Sequence, residues 1–206
     1  MKNKVNWFWN KIRYGLVLYG IRNRLAKLGL DINLLYLEQE GTFEVAEPVI
    51  SKERDKYSIK SFDADEMKAV GKKYGISNIR GLIEGFDKGQ KCIGLMHENG
   101  VAAFMFTAYD QIKVGKMVLE LRDKEAYLLN MFTIEGHRGR NLAPYLRYHS
   151  YDIIRKEGIT KIYSITNFFN KSSLRFKKKL KATHEKLYCS ITIFKKYHFS
   201  FLLKKY

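Results

Sequence analysis

Between Tyr57 and Phe194 the apolar residues change period repeatedly, in an order that few folds can accommodate. Tyr57 to Phe62 alternates with period two and reads as a strand. Asp63 stands where an N-cap would open a helix to about Tyr74, and Ser77 or Asn78 can start a second one ending near Gly85 to Gly89. Two strands follow, Lys91 to Glu98 and Val101 to Tyr109, with Asn99-Gly100 between them as a tight turn. A hairpin arm, Lys116 to Arg122, leads to a strong strand at Ala126 to Ile134. Then come a helix to about Glu157 closed by Gly158, a strand Ile159 to Thr166, a helix Lys171 to Leu180 and a strand Leu187 to Phe194. Pro144 falls in the first turn of its helix, where a missing N–H costs little. The order is α+β, and its single crossover helix makes two neighbouring strands parallel.

What precedes Tyr57 is different in kind. Phe8, Ile12, Leu16 and Tyr19 recur at helical spacing, as do Leu18, Ile21, Leu25 and Leu28, so residues 1–30 read as a helix with a broad apolar face. Residues 31–56 read as a short strand or turn, Ile32 to Leu37, and an acidic connecting loop. The net charge of +17 is concentrated at the ends. Residues 1–30 carry seven basic side chains and no acid, and residues 171–206 carry eleven against Glu185 alone, whereas the stretch between is neutral. Any attraction to an anionic partner therefore belongs to the ends. Two readings of the first thirty residues stay open: a helix docked on the domain or on a second subunit, as in a homodimer, or a helix lying on a membrane surface with Trp7 and Trp9 at headgroup level. The longest apolar run there, Gly15 to Ile21, is too short to span a bilayer. Cys92 and Cys189 read as buried free thiols of a reduced, cytosolic protein, and no metal spacing is present.

The segment from Ala126 to Ala143 joins a strand, a basic glycine turn and a helix start. Such a corner points several backbone N–H groups one way, backed by the positive end of the helix dipole, and suits a diphosphate. Gly139 permits close backbone approach, and Arg138 and Arg140 add positive charge.

Arg138-Gly-Arg-Asn-Leu-Ala143 resembles the acetyl-CoA pyrophosphate loop of the GNAT superfamily of N-acetyltransferases, in which Arg or Gln is followed after two residues by Gly and then, after one more, by Gly or Ala. Arg138 and Ala143 match, and Asn141 stands at the middle glycine; asparagine is the next most tolerant residue for a left-handed backbone. Asn170-Lys-Ser-Ser173 resembles the family's Asn-x-x-Ser start of the following helix, where Asn and Ser line the pantetheine arm. The resemblance covers the element order from Tyr57 to Phe194. It implies a GNAT fold, a mixed, mostly antiparallel twisted sheet flanked by helices, over 57–206, with 1–56 as a basic helical extension and linker.

It also implies a site. Acetyl-CoA would be the acyl donor, with no metal. Arg138, Gly139, Arg140, Asn141, Leu142 and Ala143 would hold its diphosphate, Asn170 and Ser173 its pantetheine, and backbone N–H groups of Phe132, Thr133 and Ile134 around a strand bulge would polarise the thioester. Glu135 is the first candidate general base and His137 the second. The family's acid is a tyrosine seven residues after the Asn; here that position is Lys177, either an electrostatic partner for the leaving thiolate or one charge in a solvated basic helix. The expected reaction is acetyl transfer to a primary amine on an anionic acceptor, guessed to be a nucleotide- or lipid-linked amino sugar of surface polysaccharide assembly, with protein or small-molecule amines as alternatives. The competing class is a module binding membrane or nucleic acid with a vestigial acyl-CoA site. Nothing resembles a helix-turn-helix, zinc-finger or RNA-recognition signature, which argues against nucleic acid. The location expected is cytoplasmic, with peripheral contact at the inner membrane face open.

Overall fold

A computed structural model describes residues 16–206 other than 52, 99 and 115. Trp7, Phe8, Trp9 and Ile12 of the amphipathic pattern, and Asn99 of the expected turn, lie outside the described residues. The helix α1 (Leu16–Lys27) leads into the strand β1 (Leu30–Glu40). Arg22 anchors the two together through Asp31 and Asn33, while Ile21, Leu25 and Leu28 face outward. No helix among the described residues is long and apolar enough to cross a membrane.

From there the elements follow the expected order: β2 (Tyr57–Phe62), α2 (Ala64–Tyr74), α3 (Ile79–Asp87), β3 (Lys91–His97), β4 (Gly100–Ala108), the hairpin β5 (Gln111–Val114) and β6 (Met117–Glu120), β7 (Glu125–Thr133), α4 (Leu142–Lys156), β8 (Lys161–Asn167), α5 (Lys171–Lys179), β9 (Thr183–Ile193) and β10 (Tyr197–Lys205). Asp63 and Glu66 form a reciprocal capping box at α2, and Gly75 ends that helix in the left-handed region.

Eight strands make one sheet in the order β10-β9-β1-β8-β7-β4-β3-β2, and β5 and β6 form a separate ribbon. Every neighbouring pair of the large sheet is antiparallel except β7 and β8, which α4 connects. Two positions depart from the sequence reading. β1, assigned to the linker, lies inside the sheet and pairs with β8 on one side and β9 on the other. β10, for which no strand was expected, forms the outer edge. Both depend on pairing partners more than a hundred residues away or on a turn at Phe194 and Lys195, where φ is positive without a glycine.

One face of the sheet packs α4 and α5 over Leu95, Met105, Leu128, Leu146, Ile154 and Leu180. The other packs α2 and α3 over Phe62, Met67, Leu82, Phe104 and Phe106. The ribbon β5–β6 closes a third cluster over Leu37 and Tyr188. Cys92 and Cys189 are buried free thiols, and burial pushes both up from the ordinary thiol pKa.

Candidate active site

The site originates in a defect of β7. Phe106 pairs with Leu129 and Phe104 with Phe132, so Asn130 and Met131 together oppose Met105 and form a bulge. Asn130 takes φ 53° there. The strand bends, and its pairing with β8 stops at Leu128–Ser164 although β7 runs to Thr133 and β8 to Asn167. Beyond that point the two strands part, and two clefts open where they separate.

The first cleft, about 510 Å³, runs between the splayed strands. Tyr127 to Met131 and Ile165 to Asn167 form its walls, Lys88, Asp110 and Lys113 approach from the α3 and β5 side, and Arg147, Phe176 and Lys177 close its inner end. The second, about 760 Å³, lies along the far end of β7 and the start of α4, bounded by Phe132, Thr133, His137 to Gly139, Asn141 to Pro144 and Lys179. Met131, Asn170, Ser173 and Phe176 line both. The clefts are therefore continuous across the splay.

The second cleft has a backbone whose geometry suits an anion. Gly139 has φ +78° and open space where a Cβ would stand. Asn141, in the place of the family's glycine, adopts φ 66°, as its tolerance of that region allows. Its amide donates to the Val49 carbonyl at 2.8 Å instead of capping α4, so no side chain caps the first turn of the helix. The free N–H groups of that turn carry the positive end of the dipole. Arg138 donates from Nε to the Thr133 carbonyl at 3.2 Å and lies over the Phe132 ring. Lys179, which the sequence did not single out, reaches the same corner beside Asn141. Asn170 caps α5, its Oδ1 accepting from Ser173 N–H at 3.1 Å, and lines both clefts as it does so.

Three expected residues stand elsewhere. Glu135 is exposed and lines neither cleft, because the chain turns into a single 3₁₀ turn directly after β7 and carries the carboxylate to the surface. Arg140 turns away toward Tyr57 and Glu53. Ile134 is buried, and its N–H is spent on the Ala102 carbonyl at 2.9 Å. His137 lines the second cleft and packs edge-on against His97 and Tyr57; burial, His97 and Arg140 all lower its pKa, favouring the neutral ring.

Lys177 is not a solvated charge. It is 2 % exposed, and its Nζ donates to Glu38 at 2.6 Å, to Ser164 at 2.5 Å and to Thr166, with Glu40 at 3.4 Å. Glu38 and Glu40 come from β1 and Arg147 from α4, and all three are as deeply buried. Four charges of balanced sign thus sit behind the inner end of the first cleft, where each must be paired to be tolerated. The sequence reading missed Glu38, Glu40 and Arg147. The available signal was Tyr36, Glu38 and Glu40 at period two, two acids on one face of an apolar strand.

Burial alone would raise the Glu40 carboxyl, but Arg147 and Lys177, with hydrogen bonds from Ser164 and Tyr151, outweigh it and bring the pKa to about 2. Because the folded value lies below the ordinary 4.5, this stabilisation is complete above about pH 4.5 and is lost as pH falls through 2. Roughly 3 kcal/mol is at stake. Denaturant titrations between pH 5 and 3 are expected to show a steep loss of stability for the native chain and a shallower one for Glu40→Gln; equal slopes would remove Glu40 as its source.

Among the described residues no group of three or more His, Cys, Asp or Glu side chains could hold a metal ion. No family model matches the chain, and no curated protein matches it. Solved structures do. A region described as a GCN5-related glucosamine N-acetyltransferase, within a fungal multi-domain GH3 β-N-acetylglucosaminidase, superposes on 88% of this chain and 23% of its own with a TM-score of 0.55 at 13% identity. The chain has the GNAT fold. The same GNAT architecture superposes on a functionally unknown conserved protein from Staphylococcus epidermidis (TM-score 0.52, 10% identity, 82% of this chain and 65% of that one). It also superposes on a Drosophila protein (TM-score 0.51, 11% identity, 84% and 57%). The chain spans less than two thirds of each of these three. Within the GNAT fold, the parallel pair β7 and β8 and the splay between them are what give the two clefts their junction.

Proposed function

We propose that this chain is an acyl-CoA-dependent N-acyltransferase that moves an acetyl group from acetyl-CoA to a primary amine, carried by a nucleotide- or lipid-linked amino sugar. The observation that carries this reading is the junction of two clefts at the bulge of β7, one rich in backbone N–H groups and the other running between the splayed strands β7 and β8. In this reading the CoA diphosphate lies against Arg138, Gly139 and the first turn of α4, with Lys179 adding charge. The pantetheine passes Phe132 and Thr133 to Asn170 and Ser173, which brings the thioester to the splay. The amine enters through the first cleft, where Asp110 is the carboxylate of the wall and would take its proton. Lys177, fixed by two carboxylates, supplies positive charge near the departing thiolate, at the position where the family's tyrosine would donate a proton to it.

The amino-sugar acceptor is supported by the basic wall of the first cleft, which suits a phosphate-bearing substrate, and by the glucosamine activity in the description of the fungal region of the same fold. The test is thiol release from acetyl-CoA across a panel of free and nucleotide-linked amino sugars, peptides and small amines. Turnover is expected with an amino sugar and is expected to fall at least tenfold in Asp110→Asn with acetyl-CoA affinity within twofold. If acetyl-CoA neither raises the melting temperature nor releases thiol with any amine, the enzyme reading fails.

A further inference from the structure

Arg147 is a buried group that pairs with Glu40 but has donors the reaction above does not use. It projects from α4, is 3 % exposed and lines the inner end of the first cleft. Its Nε lies 3.3 Å from Glu40 Oε2, yet neither Nε nor Nη1 has a hydrogen-bond partner. Leaving buried donors unsatisfied is costly, and a native chain seldom does so without a use for them. The neighbouring carboxylates are already engaged. Glu40 accepts from Ser164 and Tyr151 and pairs with Lys177, and Glu38 accepts from Lys177 and Thr166. On another side the guanidinium meets the Phe176 ring, which offers a π face and no lone pair. With Arg147 and Lys177 set against Glu38 and Glu40 at the inner end, the cleft's remaining lining charges are Lys88 and Lys113 against Asp110, which favour entry of an anion.

We propose that the inner end of this cleft is a carboxylate subsite, in which Arg147, facing Glu40 through Nε, uses its unpartnered Nη1 to hold one carboxylate of a substrate. A planar guanidinium fixed by Glu40 on one edge matches a carboxylate better than a tetrahedral group. The inference rests on the acyltransferase reading for the identity of the ligand, because the carboxylate can arrive by two routes: on the amine acceptor, or on the acyl chain of the thioester.

Calorimetry on the 206-residue chain separates these routes. Succinyl-CoA against acetyl-CoA probes the donor, and muramic acid against glucosamine, which differ by a lactyl carboxylate, probes the acceptor. In one of the two pairs the carboxylated member is expected to bind at least about tenfold more tightly. Arg147→Gln should reduce that preference to within about twofold while the affinity for CoA itself stays unchanged. Should R147Q lose its cooperative melt, Arg147→Lys, which keeps the charge beside Glu40 but loses the planar fork, is expected to lose most of the preference. No preference in either pair, or a preference that survives substitution, overturns the subsite. Failure of the acyltransferase reading looks different: CoA would not bind, while the muramic acid and glucosamine titrations, run without CoA, still decide for or against the subsite.

Discussion

Replacing Lys177 with alanine is expected to lower the unfolding free energy by about 3–5 kcal/mol, the cost typical of removing one partner from a buried ion pair. Lys177 is the hub of the cluster behind the first cleft. It touches Glu38, Glu40, Ser164 and Thr166, and both carboxylates are almost wholly excluded from solvent. Without the ammonium, Glu38 keeps only the Thr166 hydroxyl and His184, whose Nδ1 lies 3.4 Å from it. A buried carboxylate so poorly compensated must either take up a proton or admit water, and either route destabilises the native state. Removing the charge from both sides is a different experiment. Lys177→Met combined with Glu38→Leu is expected to recover most of the loss, since apolar groups of similar volume replace a pair whose desolvation cost rivals its attraction. Denaturant unfolding of the single and double variants measures both effects. A single-variant loss under about 1 kcal/mol would mean that the cluster is hydrated and that β1 is not held by it.

The second large effect falls on the donor. Gly139→Asp is expected to weaken acetyl-CoA binding by about 30- to 100-fold, from a carboxylate set against a diphosphate a few ångströms away. The substitution is informative because it is sterically mild. Nothing lies within 4 Å of the position a Cβ would take, and aspartate tolerates the left-handed φ of +78° better than most residues. Gly139→Ala is the control: it carries the backbone cost without the charge, and its effect is expected to stay below about tenfold. Titration calorimetry with acetyl-CoA reads the difference between the two. Equal and small effects from both would move the diphosphate away from the start of α4, and the proposed reaction would lose its donor site.

The N–H groups that this experiment probes were legible from residues close together in the chain. Arg138, Gly139, Asn141 and the helix that follows them form a turn whose conformation depends on local sterics, and the positive φ of Asn141 is a preference of that side chain. The capping box at Asp63 and the hairpin from β3 to β4 are local in the same sense. Glu135 lies outside both clefts, because where a side chain points after a strand ends depends on the next turn, and the 3₁₀ turn carries it to the surface.

By itself, then, the sequence determined the order of the elements from β2 to β9 and the glycine turn before α4, since each arises from periodicity or backbone preference within a dozen residues, whereas the bulge of β7 was implied by the resemblance alone. Only the tertiary structure decided that β1 lies between β8 and β9, and with it the fate of Lys177. Glu38 and Glu40 reach that lysine across 139 and 137 residues of chain, and a pairing of that range is selected by the burial of the whole sheet. The same burial leaves Arg147 at the inner end of the cleft, ion-paired with Glu40 through Nε and with Nη1 lacking a hydrogen-bond partner.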